Sequence, residues 1–107
     1  LMYFNTGTLS MAVNDKQKSY LRGLAHALKP VVMVGNKGLT DTVLAEVENA
    51  LNHHELIKVK VSGAEKDDRL KLVSTISDST SAQLITTIGH ISVFYRMSKE
   101  AKIKIPK

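Results

Sequence analysis

Apolar positions along this chain change their period several times, and each change marks an element. After Asn14 or Asp15, either of which can cap a helix, Leu21, Leu24 and Leu28 recur at helical spacing with Gln17 on the same side. The spacing predicts an amphipathic helix that stops at Leu28 or Lys29, because Pro30 disfavours helical backbone in the residue before it. Val31-Val32-Met33-Val34 is a continuous apolar run, the pattern of a short strand buried on both faces. A loop from Gly35 to Gly38 follows. Thr40 then caps a second helix, whose stripe is Val43, Leu44, Val47, Ala50 and Leu51 and whose first turn carries Asp41, in keeping with the helix dipole.

From Glu55 to Val61 the period falls to two, with Ile57, Val59 and Val61 on one side and Lys58 and Lys60 on the other, so this segment is a strand with one wet face. Ser62-Gly63 breaks it. Leu70, Leu72, Val73 and Ile76 predict a third helix that dissolves into Ser77-Asp78-Ser79-Thr80-Ser81. Leu84 to Ile88 and Ile91 to Arg96 read as two strands joined by Gly89-His90, a two-residue hairpin signal. The basic tail from about Met97 is expected to be extended or frayed, with Pro106 preventing regular pairing. The order is therefore α-β-α-β-α-β-β, which layer rules turn into a four-stranded mixed sheet with packed helices, an α/β or α+β domain.

Composition narrows the class. A chain of 107 residues that is 43% hydrophobic and 23% charged is one globular domain, and it has no apolar run long enough to span a membrane. With no cysteine, disulfides and thiolate chemistry are excluded, which suits a cytoplasmic protein. Residues 1–10 read as a vector-derived remnant ahead of a natural start at Met11, leaving 11–107 as the domain. The formal charge of +5 makes a polyanion the expected partner. That charge is segregated: Ala12 to Gly38 holds five positive residues and one negative, Leu39 to Glu55 four negative and none positive, and Ala82 to Lys107 five positive and one negative. One surface is expected to face the partner.

Candidate chemistry centres on Gly35-Asn36-Lys37-Gly38. Glycines at a strand-to-helix turn let a ligand approach the backbone, free N–H groups at the helix start point outward, and Lys37 adds a full charge. Turn geometry alone is an equally good explanation of the two glycines. A dinucleotide fingerprint needs a third glycine, and a Walker A loop ends in Gly-Lys-Ser/Thr; both are missing, so a nucleotide-dependent enzyme is disfavoured. Lys18, Arg22 and His26 lie four apart on one stripe of the first helix with no acidic partner, and Lys29 follows just past its end. Gly23 in mid-helix costs about 1 kcal/mol relative to alanine, and close packing or the approach of a ligand backbone would account for it. Lys58, Lys60 and Arg96 extend the basic track, whereas Lys99, Lys102 and Lys104 are read as ordinary surface lysines. Aromatics are few, at 5%, and Phe94-Tyr95 reads as core, so recognition is expected through backbone and shape rather than a stacking platform. His53-His54-Glu55 lacks metal-ligand spacing and no catalytic constellation occurs, so neither a metal, a cofactor nor an enzymatic reaction is expected.

Read in order, Leu21-Arg22-Gly23-Leu24-Ala25-His26, Leu28-Lys29-Pro30-Val31-Val32, Gly35-x-x-Gly38-Leu39-Thr40, His54-Glu55-Leu56-Ile57-Lys58-Val59-Lys60 and Tyr95-Arg96 resemble the CRM domain, named for chloroplast RNA splicing and ribosome maturation. The likeness is to its stand-alone bacterial, YhbY-type form. It implies a KH-like GxxG loop on a fold similar to the C-terminal domain of translation initiation factor three. It also implies RNA as partner, in precursors of the large ribosomal subunit, with Gly35 to Gly38 on the RNA backbone and the basic first helix assisting. The chain departs from the family's pattern at Ser79-Thr80-Ser81, where a glycine usually ends the third helix, and at Met97, commonly a proline. A monomeric ribosome-assembly factor without membrane or small-molecule ligand is therefore expected, with a general DNA-binding module as the alternative.

Overall fold

The computed structural model describes residues 13–35, 37–62 and 65–106; the expected remnant at residues 1–10 and the start at Met11 lie outside them. Seven elements follow in order: α1 (Asp15–Ala25), β1 (Pro30–Val34), α2 (Asp41–His54), β2 (Leu56–Val61), α3 (Lys66–Thr80), β3 (Gln83–Ile88) and β4 (Ile91–Tyr95). They build the α+β domain expected, around a mixed sheet of order β1-β2-β4-β3 in which only β1 and β2 run parallel.

Alternation along the strands splits the core into two layers. Val32, Val34, Ile57, Val59, Val61 and Phe94 point to one face, where Val47 and Leu51 of α2 and Val73 and Ile76 of α3 close over them. Leu56, Ile85, Val93 and Tyr95 point to the other, under Leu21 and Ala25 of α1, with Ile103 and Ile105 of the tail packed alongside. Among the described residues two helices cover one face and a single short helix the other, so they leave part of the second face uncovered.

Four local readings change. α1 ends at Ala25 rather than at Leu28 or Lys29, because the chain tightens there: His26 N–H donates to Gly23, Ala27 to Leu24 and Leu28 to Ala25, each three residues back. Its buried seam is consequently Leu21 and Ala25, and Leu24 and Leu28 are over a third exposed. β1 is not buried on both faces; it is an edge strand with Val32 and Val34 inside and Val31 and Met33 outside. α3 runs on through Ser77-Asp78-Ser79 to Thr80, and Ser81 occupies the left-handed position (φ 60°) that glycine would favour.

The tail is docked rather than frayed. Glu55, fully buried at the junction of α2 and β2, accepts N–H bonds from Ser98 (2.9 Å), Lys102 (2.9 Å) and Ile103 (2.8 Å), and its carboxylate also takes the Ser98 hydroxyl. Further along, the Gln17 side chain donates to the Pro106 carbonyl at 2.9 Å.

Gly23 stands on the exposed side of α1, and a Cβ there would meet nothing within 4 Å. Close packing is therefore not the reason for the glycine. Gly23→Ala is expected to raise stability by about 0.5–1 kcal/mol through helix propensity, read from the urea midpoint at constant slope; a lower midpoint would mean that the fold itself requires glycine here.

Candidate nucleic-acid interface

β1 delivers the loop and α2 receives it. The turn closes through a Gly38 N–H bond to the Gly35 carbonyl at 3.0 Å, and Thr40 caps α2 by accepting the Val43 N–H at 3.1 Å. The two glycines then separate. Gly38 has φ +71°, a conformation that turn geometry reserves largely for glycine, whereas Gly35 has no such φ and a Cβ on it would meet nothing within 4 Å. Among the described residues nothing asks for glycine at 35, and they leave the space over it open. Lys37 is exposed in the turn; Asn36 lies outside the described residues.

The predicted cations fall into a main group and outliers. Arg22 and His26 of α1 share a groove with Lys58 of β2 and with Thr86 and Ile88 of β3. The Lys58 ammonium is held over the end of α1 by a 3.0 Å bond to the Leu28 carbonyl. Lys60 lies on the same sheet face, paired with Met33 of β1 two residues before the loop begins. The hairpin turn at Gly89-His90 sits at this same end, since the Val61 N–H donates to the His90 carbonyl and the Ser62 N–H to Val34. Lys18 lies one turn earlier on α1 and is half-buried. Lys29 lines a different, more apolar groove with Leu24, Leu28, Val31 and His54.

Arg96 is the correction. It projects to the opposite face, where its guanidinium donates to Glu48 (2.9 Å), Asn52 (2.9 Å) and the Thr80 carbonyl (2.7 Å), tying the ends of α2, α3 and β4 together. A guanidinium with three internal acceptors has a structural task and stands away from the loop. By contrast, Arg22, His26, Lys37, Lys58 and Lys60 join no ion pair among the described residues. An uncompensated cluster of this kind leaves a positive field beside an open surface, suited to phosphates. His53 gives its Nδ1 to the Asn49 carbonyl at 2.7 Å, and no group of three metal-ligating side chains occurs among the described residues. Thr86 and Ile88 were passed over in the sequence, where they read only as strand positions.

Known proteins share the sequence and the fold. An RNA-binding protein of Haemophilus influenzae is 57% identical over 95 residues, covering 89% of this chain and 96% of the relative. The Bacillus subtilis "Probable RNA-binding protein YqeI" is 38% identical over 95 residues, covering 88% and 99%. The solution structure of a Staphylococcus aureus protein superposes with a TM-score of 0.78 at 38% identity, over 89% of this chain and all of that one. Residues 13–96 match the family model of the CRS1 / YhbY (CRM) domain, and the chain belongs to that family.

Proposed function

We propose that this protein binds RNA without catalysing a reaction, and that its ligand is ribosomal RNA in precursors of the large subunit. The observation that carries the binding is the uncompensated cluster of Arg22, Lys58 and Lys60, with the His26 imidazole beside them, on the sheet face that ends at the Gly35–Gly38 loop. Relatives named as RNA-binding proteins support the choice of RNA. The ribosomal assignment rests on the family resemblance in the sequence and is tested separately.

Affinity for RNA is expected to fall linearly on a log–log plot against salt. Arg22→Ala is expected to flatten that slope by about 0.7–0.9, one phosphate contact's worth. Arg96→Ala is expected to leave the slope alone and instead lower the unfolding temperature, because it removes a cross-link between three elements. Fluorescence anisotropy over a salt series reads both. Equal slopes for wild type and Arg22→Ala would remove the helix from the interface, and equal competition by duplex DNA would favour a general nucleic-acid module. Co-sedimentation with ribosomal subunits in a lysate tests the ribosomal reading: enrichment outside large-subunit and precursor fractions would count against it.

A further inference from the structure

A row of side chains crosses the open end of the sheet, and it is apolar where a phosphate track has no use for apolar groups. Met33 of β1 pairs with Lys60 of β2, Lys60 with Ile91 of β4, and Ile91 with Ile88 of β3. All four lie on the α1 side, beyond the part that α1 covers. Met33 is 65% and Ile88 71% exposed, the two most exposed large apolar residues described, and they sit on the two edge strands. With neighbouring strands about 4.8 Å apart, the row spans roughly 14 Å, long enough for more than one planar base.

We infer that this row is a floor for the faces of unpaired RNA bases, with Met33 and Ile88 as its ends, and that the protein binds single-stranded or looped-out RNA in preference to duplex. The inference rests on the RNA reading above. The occupant follows from what surrounds the floor. Lys60 interrupts it at the centre, Arg22, His26 and Lys58 line the adjoining groove, and the loop with Lys37 leaves its edge; none of the described residues lining that groove is acidic. A second copy of a chain with net charge +5 would bring its own positive charge to this ring. A duplex offers phosphates to the cations but hides its base faces, so the apolar row would stay wet. Unpaired RNA alone supplies both halves: phosphates for the rim and apolar π-faces for the floor. Aliphatic side chains here do what aromatic ones do elsewhere, so the scarcity of aromatics does not bar base contact.

The test compares wild type with the double variant Met33→Ser/Ile88→Ser, using a short single strand of mixed sequence and a closed hairpin duplex of equal phosphate count. Both side chains are mostly in water, so the unfolding temperature should barely move, and measuring it establishes that the fold is intact. Wild type is expected to bind the single strand more tightly. The double variant should lose about tenfold toward the single strand, the scale of one stacked base, a clearly smaller factor toward the hairpin, and keep its salt slope because no charge is removed. Unchanged single-strand affinity in the folded variant, or an equal loss toward the hairpin, overturns the floor while leaving RNA binding in place. Failure of wild type to bind either RNA overturns the proposed function itself.

Discussion

Replacing Glu55 with alanine is expected to release residues 98–103 and to lower stability by about 3–5 kcal/mol. The carboxylate is fully buried and its partners are all donors: three backbone N–H groups and one hydroxyl. Charge-assisted bonds of this type contribute about 1.5–3 kcal/mol each, and removing the acceptor orphans all four donors together. Glutamine is nearly isosteric but replaces one oxygen with an NH₂ that faces N–H groups, so Glu55→Gln should fall between wild type and alanine. Hydrogen exchange at Ser98, Lys102 and Ile103, measured beside thermal unfolding, separates local undocking from global loss. Wild-type protection of those amides in Glu55→Gln would show that the carboxylate does not hold the tail.

The same clamp sets an acid limit. Burial pushes the Glu55 carboxyl upward, but bonds from the Ser98 hydroxyl and from the Ile103, Lys102 and Ser98 N–H groups outweigh it, leaving the carboxyl below its ordinary 4.5. A folded value below the unfolded one means that the stabilisation is complete above the unfolded value and disappears as pH falls through the folded one. The tail should therefore stay docked at neutral pH and undock only on acidification past the ordinary carboxyl value of 4.5. Tyr95 shares this corner. Its hydroxyl is buried with no hydrogen-bond partner among the described residues, and burial together with the Glu55 charge raises its pKa, which keeps the phenol neutral.

Replacing both Asn36 and Lys37 with aspartate is expected to weaken RNA binding by at least about a hundredfold while shifting stability by no more than about 0.5 kcal/mol. Lys37 is exposed, and the turn is closed by backbone atoms of Gly35 and Gly38, so the fold asks little of the Lys37 side chain. Two carboxylates there would meet incoming phosphates at the start of α2 and reverse the sign of the local field. Anisotropy at physiological salt with a parallel unfolding curve decides the matter. Full affinity in the folded double variant would mean that the loop is only a turn.

Local signals were enough for much of this architecture. The strict alternation of Ile57, Val59 and Val61 against Lys58 and Lys60 placed β2, Gly89-His90 placed the hairpin, and Thr40 marked the start of α2, because each signal is complete within a few residues. What the sequence concealed depends on partners far along the chain. Val31 to Val34 reads as doubly buried until sheet order puts it at an edge, and no local pattern encodes that order. Arg96 looks like one more base until β4 ends beside Glu48, Asn52 and Thr80. Glu55 reads only as the first residue of a strand, because its four donors lie more than forty residues away. The cations of the groove were legible as a helix stripe and a strand face, but their convergence with Thr86 and Ile88 needed the sheet to be assembled.

The bond between Gln17 and Pro106 has a consequence for how this unit travels. It joins a residue in the first turn of the first helix to one at the far end of the docked tail, so entry and exit of the domain sit side by side. A unit whose two ends meet can be spliced into a loop of a larger host, or strung in series, without stretching its own frame. The proposed binding face lies on the α1 side of the sheet, so successive copies on a string would each present a groove, turning single contacts into a multivalent grip on a long RNA.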